Sequence, residues 1–277
     1  MFVPGDRADL LAKSARFGAD ALVADLEDAV AVDNKDAALD NIEEWLELLA
    51  QPSVPCPAAW VRINTGDRGR HEIARLSRFT ALVGVFVPKV ESALELGVLR
   101  RATRNDLRLA PMIESATGLV HVVEIAQAPG VHQLHIGELD LATDLGLTPG
   151  ADGAELAYAR AQVVVASRHA DLVAPAAPVS PRFDDRAAYW ASTEALARMG
   201  FVGRDCIHPA QVEVANAIFS PDVDEIAWAN SVLEEAQRRP GSYRGADGSM
   251  VDAAVLRRAR SVLARSAPAI ASSERDG

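Results

Sequence analysis

Ala110-Pro111-Met112-Ile113-Glu114-Ser115-Ala116-Thr117-Gly118 and, further along, Gly137-Glu138-Leu139-Asp140-Leu141-Ala142-Thr143-Asp144-Leu145-Gly146 decide how this chain folds. Each reads as an apolar strand whose C-terminal end carries a carboxylate and then turns, at a glycine-marked corner, into a helix. The C-terminal ends of the strands are where α/β barrels place their chemistry. On neighbouring strand ends, Glu114 and Asp140 offer hard oxygen ligands to one divalent cation, and such donors favour magnesium over softer metals. A pair of helix N-terminal acids is the plainer alternative.

Outward from this pair, short β-branched runs alternate with longer helical patterns. Strand candidates fall at 2–4, 21–25, 60–64, 84–88, 107–113, 132–136, 172–177 and 205–207. Regular alternation implies parallel strands joined by right-handed crossovers. Eight units predict an α/β fold of the (β/α)8 TIM barrel type rather than an open doubly wound sheet, and no Gly-x-Gly-x-x-Gly turn follows any candidate. Asp6 and Asp33 read as helix N-caps and Gly18 as a C-terminal stop. Beyond the eighth unit, helical patterns at 221–237 and 251–264 flank a Gly/Pro/Ser-rich linker. The expected organisation is a barrel domain over 1–219, a C-terminal helical extension or lid over 220–271 and a disordered tail over 272–277.

With 28 Lys+Arg against 39 Asp+Glu, the chain carries a net charge of −11. This argues against nucleic-acid or anionic-membrane partners and for a small molecule. Cys56 and Cys206 lack metal-ligand spacing, which suits a reducing cytoplasm, and Cys206 reads as a buried strand residue. The strand-like Phe2-Val3-Pro4 follows Met1 directly, leaving no room for a signal peptide. The most apolar long stretch, 118–136, is broken by His121, Glu124, Pro129, Gly130 and His132 and does not read as a membrane span. The expected localisation is cytoplasmic.

The residues closing each strand form a polar ring: Asp25-Leu26-Glu27-Asp28, Arg62 with Asn64, Lys89, Glu114, Asp140 and His208. Glu27 and Asp28 suit a role holding metal-bound waters, with a capped, solvated turn as the alternative. Arg62 sits inside the apolar strand Trp60-Val61-Arg62-Ile63-Asn64, where a guanidinium needs an anion, either a substrate carboxylate or enolate or a structural acid such as Glu27. His208 reads as acid–base or, better, as a hydrogen-bonded supporting histidine. Only Lys13, Lys35 and Lys89 are lysines. Lys89 at a strand end raises a Schiff-base aldolase, which the paired carboxylates make redundant. Arg7, Lys13 and Lys89 are the cations expected to bind a cofactor's phosphates at the barrel rim, an ordinary solvated face being the default for the first two.

Taken with these residues, the chain resembles the citrate lyase beta-subunit-like family, within the magnesium-dependent acyl-CoA lyases and aldolases. The matching stretches, in order, begin with Phe2-Val3-Pro4-Gly5-Asp6-Arg7, Asp25-Leu26-Glu27-Asp28-Ala29-Val30, Val61-Arg62-Ile63-Asn64 and Val87-Pro88-Lys89-Val90-Glu91-Ser92. They continue with Ile113-Glu114-Ser115-Ala116, 140–146, Cys206-Ile207-His208-Pro209-Ala210-Gln211 and Gly248-Ser249-Met250-Val251-Asp252. The resemblance implies Mg2+ on Glu114 and Asp140, substrate on Arg62 and Glu114, and Glu27-Asp28 supporting the metal waters. It also implies a homotrimer or dimer of trimers, in which the C-terminal segment covers a neighbour's barrel mouth and donates a catalytic aspartate, here Asp252. From the sequence alone Asp252 reads as a helix N-terminal acid.

The implied reaction cleaves or forms a carboxylated 3-hydroxyacyl-CoA, such as malyl-, citramalyl- or citryl-CoA, giving an acyl-CoA and a 2-oxo acid. Two alternatives stand beside it: a CoA-independent metal aldolase of hydroxy-oxo acids, and a partner-dependent citrate lyase subunit acting on a carrier-protein thioester. The chain departs from the family at Ser115-Ala116-Thr117-Gly118, where relatives often have Thr-Ala-Arg-Gly. It departs again at Ala174-Pro175-Ala176-Ala177-Pro178, where an Asp often precedes the loop. Substrate choice is expected to lie there.

Overall fold

The computed structural model of the chain describes residues 1–51, 57–239, 241–245, 248 and 250–266; Cys56 and the 272–277 tail lie outside them. Six strands, β1 (Phe2–Pro4), β2 (Ala21–Asp25), β3 (Ala58–Arg62), β4 (Leu82–Val87), β5 (Arg108–Ile113) and β6 (His135–Ile136), pair in chain order, all parallel. The intervening helices are α1 (Ala8–Leu11), α2 (Lys35–Leu49), α3 (Gly66–Leu76), α4 (Ala93–Arg101), α5 (Ala116–Val120), α6 (Val122–Ala126) and α7 (Glu138–Asp144). After them come α8 (Ala157–His169), α9 (Arg186–Arg198) and α10 (Pro209–Phe219). Among the described residues no helix is long and apolar enough to cross a membrane.

Period-two alternation builds the inner face of the curled sheet. Val23, Trp60, Phe86, Ala110 and Met112 form one buried cluster, and Phe2 and Trp60 meet Phe86 edge-on at ring-centroid distances of 5.5 and 5.7 Å. Gly84 makes room for this: a Cβ there would stand 2.3 Å from the Trp60 ring. On the outer face, α2 buries Ala38, Leu39, Ile42, Trp45, Leu46 and Leu49, the stripe of a helix lying on a sheet. Continuing the inward rows towards the C-terminal ends, Val23 leads to Asp25, Trp60 to Arg62 and Met112 to Glu114. The sheet that makes the core therefore also sets the polar layer above it.

Two expectations need correction. The seventh and eighth strands are not regular ladders: Gln133 bridges Val173 and Ala177 bridges Arg204 as isolated parallel pairs, while the Phe2 N–H donates to the Cys206 carbonyl at 2.8 Å. Pro175 and Pro178 have no N–H to give a ladder, and they interrupt the seventh segment. What the structure holds is a six-stranded half-barrel, and Cys206 is buried outside any regular strand. Nor do Asp6 and Asp33 cap helices; Arg7 and Asn34 occupy those positions with no side-chain cap bond, because a 3-10 turn over Val32–Asn34 delays the start of α2. Gly18, at φ 73°, does close the turn before it.

The chain divides into two compact units, Met1–Asn216 and Ala217–Gly277. The second holds α11 (Val223–Arg238), the antiparallel pair β7 (Tyr243–Arg244) and β8 (Met250–Val251), and α12 (Ala253–Ser266). Ala229, Val232, Val251, Ala259 and Val262 form its core, and Asp222 with Glu225 makes a reciprocal capping box on α11.

Candidate active site

β2 ends in Asp25, which is 1% exposed. Its carboxylate accepts from the Glu27 N–H at 2.9 Å and the Ala29 N–H at 3.2 Å, which fixes the turn out of the strand. Arg62, its register partner on β3, closes on it as a fork, Nε at 2.7 Å and Nη2 at 2.5 Å. Nη1 makes an ion pair with Glu27 Oε2 at 3.1 Å, and the guanidinium lies over the Phe2 ring at 5.3 Å. Burial alone would lower the Arg62 pKa, but the Asp25 bonds and charge outweigh it and raise it. The sequence asked for an anion against Arg62 and offered Glu27 as the structural acid. The main partner is Asp25, and the signal was there: it stands two residues after inward-facing Val23, as Arg62 does after Trp60.

Glu27, 5% exposed, has its other oxygen on the Lys89 ammonium at 2.6 Å. Burial raises its pKa, and Lys89 and Arg62 reverse only part of that. Asp28 is exposed, 3.7 Å from Lys89 Nζ. The Lys89 ammonium thus supplies a countercharge to buried Glu27, while its side chain remains 42% exposed. Its backbone is left-handed at φ 54°, which aims its N–H at Glu114 Oε2, 2.7 Å away.

Glu114, one residue past β5, is 4% exposed, and its pKa is pushed up to about 7. Burial is the main cause; the charges of Asp140 and Glu27 add to it, and the Lys89 N–H and Arg62 oppose it. Gly137 forms the other wall: a Cβ there would lie 2.2 Å from Glu114 Oε1. Asp140 is not at a strand end. β6 stops at Ile136, and the chain enters α7 almost at once, so Asp140 lies in the first helical turn, exposed, with no hydrogen-bond donor on its side chain among the described residues. α7 is fixed by Glu138 to Arg160 at 2.5 and 2.8 Å, and by Asp144 accepting from the Ala116 N–H at 2.7 Å.

The donor set fits a magnesium ion. One buried carboxylate lacks a full countercharge, and one exposed carboxylate close enough to raise its pKa is unpartnered. Among the described residues no cluster of three or more Asp, Glu, His or Cys could form a protein cage for a metal. Two carboxylates, with water in the remaining positions, is the way proteins hold Mg2+. Gly137→Ala is expected to swing the Glu114 carboxylate aside. Mg2+ affinity, read by calorimetry, should drop about 10–100-fold, with a stability cost of about 1–3 kcal/mol read by urea denaturation.

Of the other predicted residues in the first unit, none hydrogen-bonds to this layer among the described residues. Arg7 forks onto Asp9, both exposed, and Lys13 is exposed. His208 stacks on Phe183 at 5.2 Å and accepts the Ala210 N–H. Thr117 is exposed on α5, whereas Ala176 and Ala177 are buried. Asp252, in the second unit, accepts from the Ala254 and Val255 N–H groups at 2.8 and 3.1 Å and so caps α12.

The chain matches the model of the HpcH/HpaI aldolase/citrate lyase family over residues 1–209. It is 34% identical to a citrate lyase subunit beta-like protein of Deinococcus radiodurans, covering 96% of each chain. It is also 34% identical to a (3S)-malyl-CoA thioesterase of Cereibacter sphaeroides, covering 96% of this chain and 93% of that one. Among solved structures it resembles the protein CitE from Mycobacterium tuberculosis in complex with magnesium, acetoacetate and coenzyme A, at 30% identity and a TM-score of 0.76 over 96% of each chain.

Proposed function

The chain belongs to the HpcH/HpaI aldolase/citrate lyase family, a lyase class of enzymes, and on that footing we propose that it is a magnesium-dependent carbon–carbon lyase acting on a carboxylated 3-hydroxyacyl-CoA. The observation that carries the reading is the juxtaposition of a buried, poorly neutralised Glu114 and the unpartnered Asp140 with the Arg62–Asp25 fork. Cleavage breaks the bond between the carbinol carbon and the carbon next to the thioester. The hydroxyl loses its proton and becomes the carbonyl of a 2-oxo acid, and the thioester fragment leaves as an enolate that takes up a proton at carbon.

Glu114 and Asp140 would hold a magnesium ion, which would supply Lewis acidity to the oxygens of the oxo acid. Arg62 does the rest of the charge stabilisation: Nε and one edge of Nη2 are held by Asp25, so the guanidinium is oriented in advance and its other N–H groups can meet the enolate oxygen. Glu27 and Asp28, both within reach of the Lys89 ammonium, would serve as acceptors for metal-bound waters. Family resemblance alone supports Asp252 as the proton shuttle and a homotrimer or dimer of trimers; the count of strand–helix units supports closure of the half-barrel into eight strands, and charge and position support Arg7, Lys13 and Lys89 as phosphate contacts.

Similarity to the malyl-CoA thioesterase favours one further reading, hydrolysis of the thioester by the same metal layer. The products separate the two. With malyl-, citramalyl- or citryl-CoA and Mg2+, the lyase releases a 2-oxo acid, trapped as its phenylhydrazone, and no free thiol. Thiol release without oxo acid would make it a thioesterase, and turnover that survives EDTA would overturn both.

A further inference from the structure

Lys35 opens α2, and nothing in the reaction as described uses it. Its ammonium donates to the Leu26 carbonyl at 2.9 Å, the Glu27 carbonyl at 3.1 Å and Asn64 Oδ1 at 2.5 Å. An ammonium has three protons, so this one is saturated inside the protein. Asn64 stands two residues beyond Arg62. Its amide donates to the Leu26 carbonyl at 2.8 Å and to Glu72 Oε1 at 2.6 Å, and its backbone N–H donates to Glu72 Oε2 at 2.7 Å. Glu72 is fully buried and is also met by Arg68 Nε at 3.1 Å. A single cation thus sews the loop after β2 to the loop after β3, at the point where Glu27 and Arg62 leave their strands.

The consequence falls on Glu27. Asp25 holds the N–H of the Glu27 peptide, and Lys35 holds its C=O. With both sides fixed, the Glu27 carboxylate is aimed between Arg62 Nη1 and the Lys89 ammonium. We propose that Lys35 is a positioning residue of the reaction: it sets the Glu27 backbone so that Glu27 orients Arg62 and Lys89, and it touches neither substrate nor metal. The inference rests on the lyase reading for its kinetic consequence and on geometry alone for its structural one. Three charge-assisted bonds to half-buried oxygens are more than a helix-start lysine needs for solvation; their loss leaves Asn64 Oδ1 without its donor and the Leu26 and Glu27 carbonyls with one neutral donor each.

The test uses the full chain with Lys35→Met and Lys35→Cys. Lys35→Met is expected to lower kcat for thioester cleavage about 10–100-fold, the scale of a misplaced but intact group. The Mg2+ Kd should rise by a smaller factor than kcat falls, because Lys35 touches neither Glu114 nor Asp140 and Glu27 would reach the metal only through its waters. Amides 26–30, all hydrogen-bonded in the structure, should exchange faster while those of β5 and α7 hold. Aminoethylation of Lys35→Cys rebuilds the ammonium and should return most of the lost kcat, with identically treated wild type as control.

A kcat unchanged in Lys35→Met would overturn the proposal, as would kcat and Mg2+ binding falling together with the folded fraction. So would exchange at 26–30 no faster than in wild type. If the wild type cleaves no thioester, the lyase reading fails, and the exchange experiment still decides whether Lys35 holds the Glu27 turn.

Discussion

Arg62→Met is expected to destabilise the protein by about 3–5 kcal/mol, to lower Tm by roughly 10 °C and to reduce thioester cleavage by about a thousandfold or more. The stability term arises from what is left behind. Asp25, at 1% exposure, keeps its two backbone donors but loses the guanidinium that neutralises it, and Glu27 keeps Lys89 and the Asp28 N–H. Adding Asp25→Asn to Arg62→Met is expected to restore about half of the lost stability, because the two residues form one unit. Activity does not return, because the oriented N–H groups are still missing. Thermal denaturation of the single and double variants checks the first part, and the oxo-acid assay checks the second. Single and double variants of equal stability would mean that the fork is not what holds this layer.

Glu114→Gln gives an effect of opposite sign on stability. A carboxyl raised in the fold from 4.5 to about 7 binds its proton more tightly folded than unfolded. Its contribution to stability is fully present below pH 4.5 and is lost as pH rises through 7, about 3 kcal/mol in all. The neutral amide escapes that loss. In metal-free buffer at pH 8, Glu114→Gln is therefore expected to be more stable than wild type, while at pH 4 the two converge. With Mg2+ the order reverses, because only the wild type gains binding energy. Cleavage in the variant falls about a thousandfold. A variant less stable than wild type at pH 8 without metal would contradict the burial of an uncompensated charge.

Much of this was legible in the residues. β1 and β2 fall at the expected positions. Two features were hidden, for physical reasons. The regularity of the last two strands depends on N–H groups that Pro175 and Pro178 do not have, and counting apolar runs does not weigh missing donors. The partner of Arg62 depends on register, and a sequence shows Asp25 and Arg62 as ends of separate strands, not as cross-strand partners. The contacts of Lys89 were not legible either: its left-handed backbone, which puts its N–H on Glu114, and the bond of its ammonium to buried Glu27 have no composition signal. Gly137 is a site residue for its missing side chain, and motif reading sees it only as a corner.

The central claim is that Glu114 and Asp140 share one magnesium ion and that Glu114 gives up a proton to bind it. Titration calorimetry of MgCl2 into the wild type, in buffers of different ionisation enthalpy, measures this directly. The prediction is one site that releases more proton per Mg2+ bound at pH 6 than at pH 8, with no binding heat in Glu114→Gln. Proton release that does not change between pH 6 and 8, or Mg2+ binding that persists in Glu114→Gln, would contradict the account.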